Sequence, residues 1–170
     1  PVPQIKVAKP RRAASLTAAK YYGHPSRDMT VVGITGTNGK TTTAGLIVAM
    51  LNAAGSKTAQ IGTLGTVAEG YPQEKTLTTP DPIALHKVLF ELHQDGFTHI
   101  VMEASSHAID QSRVADVDFN YTVFTNLTPE HLDYHGTMDD YFQAKLKLFT
   151  ALPPSATAIV NMETEYGQVV

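Results

Sequence analysis

A glycine-rich segment that ends in a lysine and a threonine has the composition of a phosphate-binding loop. The segment reads TGTNGKT at residues 35–41, and it follows an apolar run at residues 29–34. Glycines allow the backbone to approach phosphate oxygens, and the N-terminus of a following helix adds a favourable partial positive charge. In such a loop Lys40 would reach the β- and γ-phosphates of a nucleotide, and the Thr41 hydroxyl would bind Mg²⁺.

This segment misses the usual phosphate-loop pattern, G-x-x-x-x-G-K-[ST], by one residue. Ile34 stands where the pattern has its first glycine, and the nearest glycines are Gly33 and Gly36. A glycine-rich turn with an incidental lysine is the alternative interpretation. A predicted strand before the segment and a predicted helix after it favour the phosphate loop.

Two further residues could approach a metal ion at the same edge of a predicted sheet. Glu103 ends an apolar strand predicted at residues 99–102, where a carboxylate can hold Mg²⁺ directly. An ordinary strand-end acid that faces water is the alternative. His131 follows the next predicted strand and could also reach the metal, although a lone histidine in a loop more often makes an ordinary hydrogen bond.

Lys145 lies inside the apolar stripe of a predicted helix. Phe142, Leu146 and Phe149 form that stripe. An ammonium group on a buried face is costly and tends to lose its proton, and a neutral amine can react with CO₂ to form a carbamate. A lysine that extends its charged end into water is the alternative, and it is the commoner case in proteins.

Polar residues near the start of another predicted helix indicate a second ligand. Thr78 and Thr79 come just before Asp81 and Pro82, which are typical of a helix N-terminus. Free N–H groups and hydroxyls there suit an anionic or polar ligand, whereas helix capping alone is the competing interpretation. Arg113 could pair with a phosphate or a carboxylate, or it could form a surface salt bridge.

Short apolar runs alternate with helical patterns along the chain, which predicts an α/β fold. We expect strands at residues 29–34, 57–61, 99–102, 121–124 and 156–160. We expect helices at residues 10–22, 42–54, 82–95 and 137–152. This alternation indicates a phosphate-loop-containing, mostly parallel sheet flanked by helices. Because ligands bind at the carboxyl ends of such strands, the segments that follow them should converge on one site, namely residues 35–41, 103–107 and 125–135.

The composition excludes several classes of protein. The chain has 170 residues, the size of one ordinary domain, with 42% hydrophobic and 17% charged residues. A net charge of −3 provides no basic field for nucleic acid, and the lack of cysteine excludes disulfides and thiolate metal sites. No apolar run approaches the ~20 residues of a membrane span. We therefore expect no nucleic-acid or membrane partner, and the absence of cysteine fits the cytoplasm.

Several motifs resemble the Mur ligase and folylpolyglutamate synthetase superfamily. TGTNGKTT, preceded by VVGI, is similar to the ATP loop of that superfamily. Three further stretches resemble its MurE branch: TLTTPDP at 76–82, MEASSHAIDQSRV at 102–114 and FTNLTPEHLDYHGTMDDYFQAKLKLF at 124–149. Because these separate motifs occur in the order of the family, chance is a poor explanation.

The resemblance implies an ATP-dependent ligase of peptidoglycan synthesis in the cytoplasm, which serves cell-wall biogenesis, cell shape and division. ATP and Mg²⁺ would be the cofactors. The partners would be UDP-MurNAc-L-Ala-D-Glu and an amino acid, either diaminopimelate or lysine, joined through an acyl phosphate. Residues 1–28 would be the end of an N-terminal domain and a linker, and residues 29–170 an incomplete central ATP-binding domain. We therefore expect the isolated chain to have little or no ligase activity, and its oligomeric state is open.

The same resemblance assigns residues to each part of the site. The nucleotide site would comprise Gly36, Thr37, Asn38, Gly39, Lys40, Thr41 and Thr42. The metal ligands would be Thr41, Glu103, His131 and Lys145 as a carbamate, and the catalytic residues would be Lys40, Glu103, His131 and Lys145. The substrate would contact Thr78, Thr79, Ser105, Gln111 and Arg113. Leu77 departs from the pattern, because related enzymes often carry asparagine there. His107 is expected to serve packing rather than catalysis.

Three other functions stay open at this point. A folylpolyglutamate synthetase-like ligase would use a folate, but TTPDP and HLDYHGTM argue against it. A non-catalytic nucleotide-binding module would bind ATP without turnover. A GTPase switch would need the guanine-binding motif N-K-x-D, which the sequence lacks.

Overall fold

A six-stranded sheet forms the centre of the fold in the computed structural model, which describes residues 2–71 and 77–170. Within these residues the strands are β1 (Thr30–Thr35), β2 (Thr58–Gly62), β3 (Gly65–Val67), β4 (His99–Glu103), β5 (Tyr121–Phe124) and β6 (Thr157–Val160). Their order across the sheet is β3-β2-β4-β1-β5-β6. Strand β3 pairs antiparallel with β2, and the other pairs of neighbours are parallel.

Helices flank the sheet, and all the described ones after the first lie between consecutive strands along the chain. They are α1 (Pro10–Tyr21), α2 (Lys40–Ala53), α3 (Pro82–Gln94), α4 (Ser106–Asp110), α5 (Leu132–His135) and α6 (Met138–Thr150), with 3₁₀ turns at Pro25–Asp28 and Tyr166–Gln168. At the start of α3, Asp81 accepts hydrogen bonds from the N–H groups of Ile83 and Ala84, at 2.9 and 3.1 Å. At the start of α6, Thr137 accepts a hydrogen bond of 3.0 Å from the N–H of Asp140. Both caps satisfy N–H groups that have no partner inside the helix.

Both faces of the central strands are buried, each by different helices. The apolar cluster on the α2 face contains Val32, Ile34, Ala44, Val101 and Val123. The cluster on the opposite face includes Leu89 of α3 and Leu148 of α6. Burial on both faces explains why the parallel strands are almost continuously apolar rather than alternating.

The register of the central strands brings three loops together. Strand β1 lies between β4 and β5, with Ile34 opposite Glu103 and Thr35 opposite Phe124. The carboxyl ends of the three strands are therefore level. The convergence predicted for residues 35–41, 103–107 and 125–135 is confirmed.

The predicted α/β fold class is confirmed, and the differences are local. Each predicted strand agrees with the structure within one residue at either end, and each predicted helix within two. Helix α2 begins at Lys40, two residues earlier than predicted, so the phosphate loop is correspondingly shorter. Strand β3 and helices α4 and α5 were not predicted, because elements of three to five residues are too short to show a period.

Residues 10–28 are packed against the body of the domain. Helix α1 and the 3₁₀ turn Pro25–Asp28 both contact α3. The boundary predicted between residues 28 and 29 stays a prediction. None of the helices within residues 2–71 and 77–170 is long and apolar enough to cross a membrane.

His86 of α3 is a fully buried histidine beneath this packing. Neither of its ring nitrogens has a hydrogen-bond partner within the described part of the chain. Burial lowers the pKa of His86 to about 4, with a smaller contribution from His24, while Asp118 opposes the shift. The folded chain therefore holds the neutral imidazole, and protonation favours the unfolded chain.

The stability of the fold should therefore depend on pH through His86. We expect this contribution to be complete above pH 6.5 and to be lost as the pH falls from 6.5 to about 4. The loss should reach about 3 kcal/mol. His86→Leu should flatten the pH dependence of urea unfolding in this range, whereas His93→Leu on the same helix should preserve it. An unchanged slope in His86→Leu would contradict the assignment.

Candidate active site

The phosphate loop turns sharply between β1 and α2. Gly36 and Gly39 have φ angles of 145° and 85°, in the range that favours glycine. A side chain on Gly36 would also overlap the hydroxyl of Thr125. Gly39 directly precedes α2, whose first turn contains Lys40 and Thr41. The predicted glycine-rich turn at a helix N-terminus is therefore confirmed.

Residues that follow β5 hold the first half of this loop. The N–H groups of Thr37 and Asn38 donate to the backbone and side-chain oxygens of Asn126, at 2.9 and 3.0 Å. These two amides are therefore already paired within the protein. Within the described residues, the amides at 39–42 have no protein partner. These amides lie at the positive end of α2, so they are the ones available to phosphate oxygens.

Two lysines donate hydrogen bonds to the same carbonyl oxygen of the loop. Nζ of Lys40 donates to the backbone oxygens of Gly36 and Thr37, at 2.9 and 2.8 Å. Nζ of Lys145, in α6, donates to the Gly36 oxygen at 2.9 Å. Lys145 is only 1% exposed, so the alternative that its charged end extends into water is wrong.

Burial lowers the pKa of both lysines. The pKa of Lys145 falls to about 7, first because the amine is buried and second because Lys40 is close, while Glu130 opposes the shift. Burial also lowers the pKa of Lys40, against the opposing charges of Glu103 and Glu130. A substantial fraction of Lys145 is therefore the neutral amine near pH 7, which is the form that reacts with CO₂. The carbamate itself stays a prediction.

The Glu103 carboxylate is held through both of its oxygens. Oε1 accepts hydrogen bonds from the Thr41 hydroxyl at 2.9 Å and from the Thr63 N–H at 3.0 Å. Oε2 accepts a hydrogen bond of 3.1 Å from the Thr63 hydroxyl. The side chain is 0% exposed, so the alternative of a strand-end acid that faces water is wrong.

The Thr41 hydroxyl and the Glu103 carboxylate form a pair of oxygen ligands that fits Mg²⁺. This ion prefers carboxylate and hydroxyl oxygens together with phosphates. Within the described residues, no three histidine or acidic side chains lie close enough to hold a metal. His131 lines the same cavity as Glu103, whereas Lys145 contacts the loop at Gly36 and does not line that cavity. Metal binding by His131 and by Lys145 as a carbamate stays a prediction.

A polar cavity of about 300 Å³ connects these groups. It is lined by Thr37, Asn38, Gly39, Lys40, Thr41, Thr42, Thr63, Thr78, Glu103, Ser105 and His131. All the predicted nucleotide-site residues except Gly36 therefore lie on its wall. A larger cavity of about 510 Å³ lies at the opposite, amino-terminal edge of the sheet, below α1 and the segment that precedes β5.

His131, which lines the cavity, belongs to a small cluster of aromatic rings. It has a φ angle of 57°, which is uncommon for a non-glycine residue, and it directly precedes α5. The ring of His107 lies 4.8 Å from that of His131 and 4.2 Å from that of Tyr134. Burial and His131 are the main causes that lower the pKa of His107. The packing role expected of His107 agrees with these contacts.

The five predicted substrate residues fall into two groups. Thr78 and Ser105 line the cavity. Thr79 is 0% exposed, and its hydroxyl donates to the last backbone oxygen of β4 at 2.8 Å. Arg113 donates to the backbone oxygen of Thr79 at 3.0 Å and to the side-chain oxygen of Gln111 at 2.6 Å. In this structure these hydrogen bonds are made within the protein, next to the cavity wall. Substrate contact by Thr79, Gln111 and Arg113 stays a prediction.

Sequence reasoning missed Thr63, which contacts both oxygens of Glu103. Thr63 follows β2 directly, so the rule that ligand sites lie at the carboxyl ends of parallel strands could have found it. No catalytic motif follows the predicted strand, so local patterns do not single out this turn. Thr76, the first residue of the TLTTPDP motif, lies outside the described residues.

The fold and the site together define a phosphate-loop α/β domain. The family described as the Mur ligase middle domain matches residues 34–170. The chain therefore belongs to the Mur ligase family, and the resemblance found in its motifs is confirmed.

Individual relatives agree with this family. The chain is 45% identical, over 167 residues, to the UDP-N-acetylmuramoyl-L-alanyl-D-glutamate–2,6-diaminopimelate ligase of Pseudomonas putida, covering 98% of this chain and 34% of the relative. It superposes on a solved structure of a ligase with the same name with a TM-score of 0.79 at 28% identity, covering 98% of this chain and 35% of that one. The chain thus spans about a third of the length of the relatives that it matches.

A solved structure with a different name shares the fold. A folylpolyglutamate synthase of Mycobacterium tuberculosis, complexed with ADP and AMPPCP, superposes with a TM-score of 0.72 at 16% identity. That match covers 93% of this chain and 43% of the synthase. At this identity the likeness concerns the fold alone.

Glycine-to-alanine exchanges at two positions should have opposite effects. Gly36→Ala should destabilise the fold by roughly 1–3 kcal/mol and abolish nucleotide binding, because the backbone is strained and the new Cβ overlaps Thr125. Gly45→Ala, inside α2, should stabilise the fold by about 1 kcal/mol and preserve binding. There the new Cβ lies 3.9 Å from its nearest neighbour, Gln60 Oε1. Urea unfolding and nucleotide titration measure both effects, and unchanged affinity in Gly36→Ala would count against this role of the loop.

Proposed function

We propose that the chain is the ATP-binding part of a ligase that joins an amino acid to UDP-MurNAc-L-Ala-D-Glu. The observation that carries the proposal is the phosphate loop with its flanking groups. Lys40 and Lys145 meet at the Gly36 carbonyl, and Thr41 contacts Glu103 beside the free amides of α2. The names of the relatives support the substrate, and the presence of ADP in a structure with the same fold supports the nucleotide.

Each part of the cavity would have its own task in nucleotide binding. The amides at residues 39–42 would bind phosphate oxygens. Lys40 would exchange its two carbonyl partners for the β- and γ-phosphates, because an anion is a stronger partner for an ammonium group than a neutral oxygen. Thr41 and Glu103 would hold Mg²⁺, with His131 near the same edge. When bound, Mg²⁺ neutralises charge on the phosphates and orients them.

The reaction would proceed in two steps. The terminal carboxylate of the UDP-linked dipeptide attacks the γ-phosphate, which forms an acyl phosphate and releases ADP. The amine of the incoming amino acid then attacks the acyl carbon, a proton leaves the nitrogen, and inorganic phosphate departs. This chain would contribute alignment and charge neutralisation, through Lys40 on the phosphates and through Thr78 and Ser105 on the substrate side of the cavity.

The names of the relatives favour diaminopimelate as the amino acid, with lysine as the other candidate. The product would enter peptidoglycan synthesis in the cytoplasm and so serve cell shape and division. A folylpolyglutamate synthetase-like ligase is the competing function, supported by fold alone. A non-catalytic nucleotide-binding module would bind ATP without releasing phosphate.

Phosphate release by the complete protein tests the proposal. We expect release with ATP and UDP-MurNAc-L-Ala-D-Glu only when the matching amino acid is present, from a panel that includes diaminopimelate and lysine. Lys40→Met should reduce kcat at least ~100-fold, because the cation on the phosphates is lost. Lys20→Met, an exposed lysine of α1, should leave kcat unchanged. Release with a folate and glutamate instead would favour the competing ligase, and nucleotide binding without any release would favour the module.

Carbamylation of Lys145 is testable by spectroscopy. In ¹³C-labelled bicarbonate the neutral amine should add CO₂ and release a proton, which would produce a carbamate signal in the ¹³C NMR spectrum. Lys145→Met should abolish the signal, because it removes the buried amine. Lys147→Met should preserve it, since Lys147 lies on the same helix but is exposed and paired with Asp110 at 2.7 Å. A signal that survives in Lys145→Met would assign it to another amine.

A further inference from the structure

The tight turn between β2 and β3 enters the cavity next to the metal-binding edge. Strands β2 and β3 pair antiparallel, with Gly62 directly opposite Gly65, so that residues 63 and 64 form a two-residue turn. Thr63 of this turn lines the same cavity as Thr41 and Glu103. Strand β3 is antiparallel and lies outside the βαβ pattern. Its pairing with β2 forms the turn that places Thr63 in the site.

Thr63 contacts the Glu103 carboxylate twice, once with each kind of donor that it has. Its backbone N–H donates to Oε1 at 3.0 Å and its hydroxyl donates to Oε2 at 3.1 Å. Two donors from one residue on two oxygens of one carboxylate fix the rotation of that group about its last bond. The Thr41 hydroxyl adds a third hydrogen bond, again to Oε1.

The acceptor capacity of the carboxylate shows where a cation can approach. A carboxylate has about four lone-pair sites on its two oxygens. The two hydrogen bonds on Oε1 use that oxygen fully, while Oε2 accepts one. The remaining lone pair therefore belongs to Oε2, the oxygen that the Thr63 hydroxyl orients.

Gly62 provides the space that this arrangement requires. A Cβ atom at Gly62 would overlap the carboxylate of Glu103. The Glu103 side chain therefore packs against the backbone of β2 at Gly62, next to the turn that carries Thr63. Packing against Gly62 and the two hydrogen bonds from Thr63 together restrict the carboxylate to one orientation.

The Thr63 hydroxyl also lies 3.4 Å from the hydroxyl of Thr78. Thr78 lines the cavity just before α3, on the side proposed for the substrate. One hydroxyl thus stands between the proposed metal-binding carboxylate and the proposed substrate-binding segment.

We propose that Thr63 is a positioning residue, which orients the Glu103 carboxylate for a divalent cation and links it to the segment that carries Thr78. This inference rests on the proposed function, because it assigns Thr63 a role toward the cation that accompanies the nucleotide. The inference concerns cation affinity. Thr63 acts on the cation through Glu103 and does not contact the reacting atoms.

The test measures how Mg²⁺ promotes nucleotide binding by the complete protein. AMPPCP is titrated calorimetrically at increasing MgCl₂, for wild type, Thr63→Val, Thr63→Ala and Thr63→Ser. Valine keeps the shape and the backbone N–H but removes the hydroxyl, serine restores the hydroxyl, and alanine is a second hydroxyl-free variant if valine perturbs folding. Thr98→Val removes an exposed hydroxyl at the far end of the strand that carries Glu103, and it serves as the control.

We expect Thr63→Val and Thr63→Ala to raise the Mg²⁺ concentration needed for half-maximal binding about tenfold, as is typical when a partner of a metal ligand is lost. AMPPCP affinity without Mg²⁺ should not change, and Thr63→Ser and Thr98→Val should behave as wild type. In a Glu103→Gln background, Thr63→Val should have no further effect. A general loss of structure would instead weaken binding with and without Mg²⁺ alike.

Two outcomes overturn the inference in distinguishable ways. If wild type shows Mg²⁺-dependent binding and Thr63→Val requires the same Mg²⁺ concentration, the role of Thr63 is wrong and the proposed function stands. The role of Thr63 is likewise wrong if Thr63→Val weakens AMPPCP binding equally with and without Mg²⁺. It is also wrong if the effect of Thr63→Val persists in the Glu103→Gln background. If wild type binds AMPPCP neither with nor without Mg²⁺, the proposed function fails and the inference fails with it.

Discussion

The carbonyl oxygen of Gly36 accepts hydrogen bonds from the side chains of Lys40 and Lys145, and the rest of the site is arranged around this shared acceptor. Neutral carbonyl oxygens offer little compensation to the buried ammonium group of Lys145 and the half-buried one of Lys40. Burial and mutual repulsion therefore favour loss of the proton from Lys145, the more deeply buried of the two. An anion is the ligand that suits this arrangement, because the amides at the start of α2, which have no partner among the described residues, lie beside the two lysines.

The parallel sheet makes this arrangement possible because it aligns the ends of its central strands. Strand β1 delivers the phosphate loop between β4, which ends in Glu103, and β5, which is followed by Asn126. Asn126 accepts hydrogen bonds from the amides of Thr37 and Asn38, and Glu103 accepts one from Thr41 in the first turn of α2. The loop is thus held from both neighbouring strands, and the amides that have no partner within residues 2–71 and 77–170 are confined to one end. The resulting surface is polar and local, suits phosphate oxygens, and is compatible with a negative net charge.

Local patterns and family motifs together were sufficient to predict most elements and most of the residues that line the polar cavity. The parallel strands are apolar runs, α3 and α6 begin at recognisable caps, and the lysine within the apolar stripe of α6 is buried as its neighbours required. Thr63 was missed because its importance comes from a contact with a residue 40 positions away. The interior position of Thr79 also could not be predicted, since its hydroxyl joins the end of β4 through tertiary contact rather than through any local motif.

By itself, the sequence determined the order of strands and helices, the glycine-rich turn and the chemical types of the side chains, because these depend on neighbours within a few residues. Its motifs also determined the family. Only the tertiary structure decided which amides stay free, which carbonyl the two lysines share and which oxygen of Glu103 remains open. These properties depend on distances between segments far apart in the chain, and hydrogen-bond partners and burial are established only when the sheet assembles.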